Sequence, residues 1–524
     1  MATTDFVDGV TVVRASWLND VDEVVYTTVP GLGVSLSAIS AAIAALATET
    51  GAASIGFKQA GTGSVLRTVQ AELRDYVNVK QFGAVGDGLT NDSAAFQAAL
   101  DYAGLVGAQL WVPHGVYLVP TATLNIPSGV SIVGEGAASE IRRTTNAVVP
   151  LLLASSKSNI TVNHLKLSSL AGTTSVSSNT IGTGSKTFTI PAGLDFAATE
   201  NIQISSTASP ANYLQGTVTS YSSTTLVVNI TASVGAGTFT AWNIDKSNGE
   251  NIALRFASSQ NCDATDIIVD GRFYVGISSQ NGNGDLIDNC EFLNVVNRPI
   301  YVYATTDTTD GIRITKNRIR GGNISQYGIN LNGSGGTIDN VTISDNVIDA
   351  TIFQGIEVGG SSGYVSVANN HIDSVSASGG TGILVQRANT VQASRTIVQG
   401  NTVKSAGNGI YVLDSVYTIV QGNQVASCPL GIRVEQATAA VGCQYATVAG
   451  NISTSCTTAG FYFSGANVGL CSYHSCSANV AISCGIGFQS TANTDRIAFN
   501  ANIATANTTN YSTLGTNHTS TGNI

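Results

Sequence analysis

From residue 250 onward the chain repeats one short strand pattern: an apolar residue, a variable residue and a second apolar residue, usually after a glycine. It opens at Ile252, Ile277, Ile300, Ile329, Ile356, Ile383, Ile410, Ile432, Phe461 and Phe488. Between these openings runs a second column: Asn289, Asn317, Asn346, Asn370, Asn401, Asn423, Asn451, Asn479 and Asn502. Two columns sharing one period are the signature of a solenoid. No leucine consensus is present, and no segment of 3.6-residue period fits between the strands. The separations vary, from Ile410 to Ile432 at the short end and from Ile300 to Ile329 at the long end, which disfavours a left-handed hexapeptide helix. The pattern predicts a parallel β-helix whose Asn side chains hydrogen-bond from coil to coil.

Composition agrees with stacked β-structure. Charged residues make up 11% and glycine is abundant at 56. Disorder is disfavoured by a hydrophobic content of 43% and by the regular Val/Ile spacing. A net charge of −10 argues against nucleic acid as a partner, because phosphate binding needs clustered Lys and Arg. The most apolar stretch, Ser35 to Ala47, is too short to span a bilayer. The N-terminus has no secretory pattern, so folding in a cytosol is expected. Cys428, Cys456 and Cys484 recur at one interval that Cys443 and Cys471 repeat, which predicts buried thiols stacked between coils and no zinc-type site.

Four regions follow. Residues 1–75 hold an irregular start and then Leu36, Ile39, Ile43 and Leu46, an a/d seam that predicts a short parallel bundle of identical chains, with packing on its own chain as the alternative. In residues 76–167, "NVKQFGAVGDGLTNDSAAFQAAL" reads as strand, turn and a helix that Asn91 or Asp92 can cap, followed by the first coils. The glycines of "GAVGDG" match no phosphate-binding fingerprint. Residues 168–247 break the rhythm with short alternating strands and read as a small inserted β module. Residues 248–524 carry the coils.

The block from Asn78 to Leu100, with "LWVPHGVYLV" after it, resembles the start of the pectate-lyase-like right-handed β-helix superfamily. "SIGFKQAGTGSVLRTVQAELRDYVNVKQFGA" resembles a linker common in phage tail proteins, and "FVDGVTVVRASWLNDVDEVVY" resembles the particle anchor of short-tailed phages. The resemblance implies an all-β fold, a right-handed parallel β-helix; with the inserted β module and the short N-terminal helical segment read from the residues, a homotrimer is expected. It implies a bacteriophage tailspike carried on the virion tail, attached to a tail or baseplate protein through its N-terminus. Such a protein folds in the host cytoplasm and acts at the host cell surface on capsule or O-antigen polysaccharide. Cleavage by glycoside hydrolysis is the expected activity. A non-enzymatic tail fibre and a polysaccharide lyase are the alternatives, since the fold carries all three.

Alternation along each strand predicts outward columns. The first reads Ala253, Ser278, Tyr301, Asn330, Glu357, Leu384, Tyr411, Arg433 and Tyr462. Two residues further on, the second reads Arg255, Gln280, Tyr303, Asn332, Gly359, Gln386, Leu413 and Glu435. Aromatic rings interleaved with amides and charges suit a sugar chain, and an interface between chains is the alternative. The expected sugar-binding residues are Tyr301, Tyr303, Asn330, Tyr411, Arg433, Glu435 and Tyr462. Glu357, a lone carboxylate among aromatics, is the leading catalytic candidate. Counting three residues past each column Asn gives Arg320, Asp349, Asp373 and Lys404. Asp349 and Asp373 would then lie one coil apart, near the ~5–5.5 Å that a retaining glycosidase requires, with His371 beside them. A solvated ionic row is the other reading. Asp307 and Asp310 follow Tyr303 and are further acid candidates, with Asp285 and Asp288 in another loop. A lyase would instead use a base such as Tyr301 or Tyr411. No metal and no cofactor is expected.

Overall fold

The computed structural model describes residues 30–524 apart from 146, 148, 171, 195, 248–249, 323, 361–362, 378, 390, 439–440 and 468–469. The anchor-like stretch before residue 30 lies outside the described residues. The chain divides into two compact units, Met1–Tyr76 and Val77–Ile524.

The second unit is a parallel β-helix. Each coil contributes one strand of about six residues to a 13-stranded parallel sheet that runs from Leu124–Asn125 to Thr509–Thr513. In most coils two shorter strands, commonly of three or four residues, follow. In one coil these are Arg298–Tyr303 in the long sheet, then Arg313–Thr315, then Arg318–Arg320, before the next coil re-enters at Tyr327–Asn332. The inward Ile and Val residues of every strand are fully buried and make one continuous apolar core. Burying a branched aliphatic side chain contributes about 1.5–3 kcal/mol, and the repeat delivers several per coil.

The two short strands meet at a sharp corner of two residues. The first has left-handed backbone, as at Lys316 (φ 54°), Asp345 (φ 58°) and Asn369 (φ 56°), or is glycine, as at Gly400 and Gly422. The second is the ladder Asn. In Asn401 the side-chain Nδ2 donates to Val367 O (2.9 Å) and to Asn423 Oδ1 (2.9 Å), while its Oδ1 accepts from the Asn370 amide (2.9 Å) and Asn370 Nδ2 (2.9 Å). The same four bonds recur from Asn346 to Asn479, all buried. The predicted ladder is therefore present, with one change at its start. Asn289 takes the left-handed corner position (φ 51°), and Cys290 takes the ladder position, its amide donating to Asn317 Oδ1 (3.0 Å). Asn suits both sites, which is why the sequence misplaces it by one residue.

All eight cysteines are free and buried, and Cys443 faces Cys471 in register.

At its start the solenoid is covered by the helix Ser93–Val106, which buries Phe96, Ala99, Leu100 and Ala103 and ends at Gly107 with left-handed backbone (φ 67°). The buried Asp92 accepts from the amides of Val85 (2.7 Å) and Gly86 (3.2 Å), so its carboxylate shapes the glycine-rich turn and does not cap the helix.

Residues Thr173–Lys246 form a six-stranded antiparallel sheet with its own core around Phe188, Ile204, Leu226 and Trp242. Its last strand is tied to the solenoid by Arg272, whose guanidinium contacts both Asp245 oxygens (2.7 and 2.6 Å) and Asn243 Oδ1 (2.9 Å).

In the first unit the helix Pro30–Leu46 carries Ile39, Ile43 and Leu46 on its surface, 55%, 62% and 46% exposed.

Candidate active site on the long sheet

The outward column of the long sheet has the register expected from Tyr301 onward. Tyr301 faces Asn330, Asn330 faces Glu357, and Glu357 faces Leu384; then Tyr411, Arg433 and Tyr462 follow in turn. Above Tyr301 the register differs. Ile277 pairs with Leu254, not Ile252, so Arg255 stands in line with Ser278 and Tyr301. Ile252, Leu254 and Phe256 are all buried, and three inward apolar residues in one strand leave the sequence ambiguous by two positions.

The column gathers two polar clusters, separated by the apolar Leu384. The first centres on Glu357. Its Oε2 accepts from Asn330 Nδ2 (2.7 Å) and its Oε1 from Gln386 Nε2 (2.5 Å). Arg298 lies over the rings of Tyr301 (4.7 Å) and Tyr327 (4.8 Å), and its Nε donates to Asn330 Oδ1 (2.9 Å). Tyr301 stacks on Tyr303 with centroids 4.4 Å apart, and Tyr303 donates to Gln280 Oε1 (3.0 Å). Arg255 bridges Gln280 and Glu250.

Burial raises Glu357 above the ordinary carboxyl range, against the opposing pull of its Gln386 hydrogen bond and of the Arg298 charge. Such a carboxyl holds its proton to higher pH, as a general acid requires. Burial also pushes the phenols up: Tyr303 and Tyr327 rise to about 12, and Tyr301 rises as well.

The second cluster comprises Tyr411, Arg433, Glu435 and Tyr462. The Glu435 carboxylate accepts from the Tyr411 hydroxyl and pairs with Arg433, whose guanidinium lies over the Tyr411 ring (4.3 Å) and 5.9 Å from the Tyr462 ring. The Tyr411 phenol is pushed well above its usual value, first by burial and then by donating to Glu435.

Asp349 and Asp373 face each other on neighbouring short strands, flanked by Arg320 and Lys404 in the same register. They line a groove of about 180 Å³ together with His371, Arg318 and Arg320. Adjacent strands lie ~4.8 Å apart, so the backbone spacing suits a carboxylate pair. Arg320 reaches Glu291 instead (3.4 Å), and among the described residues neither aspartate is in an ion pair. This groove is built on the short strands and not on the long sheet that carries Glu357.

Asp310 lies in the strand Thr308–Asp310, opposite Asp339, and accepts from Asn340 Nδ2 (2.8 Å). Asp307 is exposed in the preceding turn. Neither is hydrogen-bonded to the Glu357 cluster.

Sequence reasoning missed Arg298, Gln386's contact with Glu357, and Tyr327. Arg298 and Tyr327 each precede the opening residue of the strand pattern, Ile300 and Ile329, by two residues. The only signal was positional: each begins a long-sheet strand on the outward side.

Comparison with known proteins agrees with this fold. Residues 76–301 match the family described as rhamnogalacturonase A/epimerase, pectate lyase-like, and residues 257–441 match the periplasmic copper-binding protein NosD. The tail spike protein of Shigella phage Sf6 is 32% identical over 121 residues, 22% of this chain and 19% of that protein. A capsule K30/K69-specific depolymerase of Klebsiella phage K5-2 is 36% identical over 105 residues, 20% of this chain and 12% of that protein. The mannuronan C5-epimerase AlgE1 of Azotobacter vinelandii is 46% identical over 69 residues, 12% of this chain and 5% of that protein. The matches thus span less than a fifth of these relatives' lengths. Two solved structures share the fold at low identity. The catalytic unit of a GH87 α-1,3-glucanase from Streptomyces thermodiastaticus has a TM-score of 0.55 at 12% identity, covering 86% of this chain and 68% of that one. The tailspike of E. coli bacteriophage HK620, in complex with a hexasaccharide, has 0.50 at 14%, covering 89% and 72%. The chain carries an all-β parallel solenoid of the right-handed, pectate-lyase-like type, and it is similar to phage tailspikes.

Proposed function

We propose that this chain belongs to a phage tailspike that binds a bacterial surface polysaccharide along its long sheet and cleaves it by glycoside hydrolysis. The observation that carries the reading is Glu357. It is a carboxyl with a raised proton affinity, held by Asn330 and Gln386, beside the stacked Tyr301–Tyr303 pair and the Arg298 guanidinium. The rings offer apolar surface to sugar faces, the amides and guanidinium bind hydroxyls, and Glu357 donates a proton to the glycosidic oxygen as the bond breaks, while a water molecule gives its hydroxyl to the anomeric carbon and its remaining proton restores the Glu357 carboxyl. Tyr303 and the second cluster of Tyr411, Arg433, Glu435 and Tyr462 extend binding along the same sheet. Similarity to the Sf6 tail spike supports the tailspike reading, and similarity to the capsule-specific K5-2 depolymerase supports a surface polysaccharide such as capsule as the substrate.

The raised phenols favour hydrolysis over β-elimination. Burial raises both tyrosines that could serve as the base, Tyr301 and Tyr411, and a phenol raised in this way keeps its proton at neutral pH, which suits a donor and not a base. The Asp349–Asp373 groove is a second candidate centre for the same reaction, favoured by its strand-to-strand carboxylate spacing.

The test is incubation of the full chain with polysaccharide purified from a susceptible host. Cleavage by the wild type and its loss in Glu357→Gln, with binding retained, is the expected result. A fall of about 10²-fold or more in rate is the size of a lost general acid. Undiminished cleavage by Glu357→Gln removes that residue from the chemistry, and Asp349→Asn and Asp373→Asn then test the second groove.

A further inference from the structure

The inserted module touches the solenoid at a place that matters for Glu357. Gln203 lies on the strand Asn201–Ser206 of the module, 3% exposed. Its Oε1 accepts from Gln326 Nε2 of the solenoid (2.8 Å) and from Gln215 Nε2 of the neighbouring module strand (3.1 Å). Gln326 Oε1 accepts from Asn297 Nδ2 (2.5 Å), and Asn297 Oδ1 accepts from Arg298 Nη1 (2.5 Å). Arg298 then turns to the other side: its Nε donates to Asn330, and Asn330 donates to Glu357. The chain of side chains is thus unbroken from the module to the carboxylate. Asn297, Gln326 and Asn330 are all buried, at 2%, 6% and 3% exposure.

The donors have one sense. Every donor points away from Arg298: on one side Arg298 donates to Asn297, Asn297 to Gln326 and Gln326 to Gln203, and on the other Arg298 donates to Asn330 and Asn330 to Glu357. A guanidinium is a rigid planar fork, so the bond that fixes Nη1 also fixes the direction of Nε. The rings of Tyr301 and Tyr327 hold its faces, and the Asn297–Gln326–Gln203 chain sets its rotation in that plane. The far end is itself anchored, because Arg272 clamps the module through Asp245 and Asn243.

We propose that the inserted module positions the Glu357 carboxyl through this relay, with Gln203, Gln326 and Asn297 as positioning residues that orient Arg298. This deepens the hydrolase reading of Glu357 and rests on it for its catalytic meaning. The titratable and charged groups that face Glu357 are Arg298, Tyr301 and Tyr327; Asn330 and Gln386 are its neutral donors. Losing the set of Arg298 weakens the positive charge that acts on Glu357, so Glu357 should hold its proton to higher pH.

The decisive measurement is the titration of Glu357 in the full chain, followed by ¹³C NMR with glutamate labelled at the carboxyl and the resonance identified by its loss in Glu357→Gln. Gln326→Met removes both relay bonds at nearly constant volume. Its expected effect is an upward move of the Glu357 midpoint by about one pH unit, the scale of one hydrogen bond to a charged group. Phe353→Leu is the control. Phe353 packs on Tyr213 of the module at the same junction (6.0 Å between centroids) but takes no part in the relay, so the midpoint should stay at the wild-type value. If Gln326→Met does not fold, Gln203→Met cuts the same chain from the module side and is read in the same way. On polysaccharide, the alkaline limb of kcat should move with the midpoint while KM stays within about twofold. A Glu357 midpoint unmoved by either relay variant, or moved equally by Phe353→Leu, overturns the proposal. If the midpoint moves but no polysaccharide is cleaved, the relay stands and the hydrolase reading falls.

Discussion

The Asp285 carboxyl is buried in the solenoid wall, where it accepts from Ser259 Oγ (2.9 Å), Ser279 Oγ (2.8 Å) and the Cys262 amide (3.0 Å). Burial raises its proton affinity in spite of these three donors, and the nearby Asp263 adds to the rise. A group whose value is raised on folding stabilises the native chain fully below its unfolded value, about 4 for Asp. That contribution is lost as pH rises through the raised value. Asp285→Asn should therefore flatten the pH dependence: as pH rises from about 4, the urea midpoint of the wild type should fall more steeply than that of the variant. Parallel curves would show that Asp285 stays ionised throughout. Asp285 could be seen in the sequence only as one acid in a loop, because its three donors come from two other stretches of chain, Ser259–Cys262 and Ser279. Glu357 was legible for the opposite reason. Its surroundings are set by strand register, and register follows from the repeat. Arg298 escaped because its importance comes from Asn297 and Gln326, which lie off the strand pattern, and from a module whose docking no local pattern encodes.

The ladder and the corner are the elements that make the repeat possible. Each ladder Asn satisfies a backbone amide, a backbone carbonyl and two neighbouring side chains, so its removal is felt on both sides. Asn401→Ala would leave the Asn370 amide and Asn370 Nδ2 without their acceptor in a buried corner. At ~1–3 kcal/mol per unsatisfied buried donor, the loss should be roughly 3 kcal/mol, seen as a lower midpoint of chemical denaturation. A change below about 0.5 kcal/mol would mean that water replaces the ladder there. The Asn column was readable because an amide that recurs once per coil among apolar residues must find its partners on the coils above and below. A different corner was not. Ahead of the first short strand, Tyr417, Tyr445 and Tyr473 have positive φ (53°, 59° and 61°) and stack at 5.0 and 5.4 Å, with Arg496 over the last ring at 5.0 Å. Left-handed backbone normally selects Gly or Asn, and Gly284 and Asn340 hold the equivalent corners in earlier coils. Stacking worth ~0.5–1.5 kcal/mol per pair offsets the strain, and only the assembled ladder makes that visible.

At the scale of the whole molecule, the exposed seam of Ile39, Ile43 and Leu46 supports assembly. Apolar residues repeating at heptad spacing on one helix face are stabilised by burial against copies of themselves. The full chain should therefore have a mass near three times 53.7 kDa by light scattering, and Ile43→Asp should shift it toward that of one chain. A wild-type mass of 53.7 kDa would refute the trimer reading. The extent of the solenoid was readable from residue 250 because its period is regular. The first coils, before the module, were identified from their resemblance to a family. There the strands are uneven, from two residues at Leu124–Asn125 to thirteen at Ser131–Arg143, and no single spacing ties them together.

The backbone ladder of each coil pairs with the coil above and the coil below, and each advances the axis by one strand spacing, ~4.8 Å. Length therefore changes in whole steps. Adding or removing one complete coil would shift every later outward residue along the axis and leave it pointing outward. Adding a single residue to a strand would turn the following Ile and Val into solvent. The span between the Glu357 and Glu435 clusters can thus change by trading coils like links of a chain while the interior is left alone.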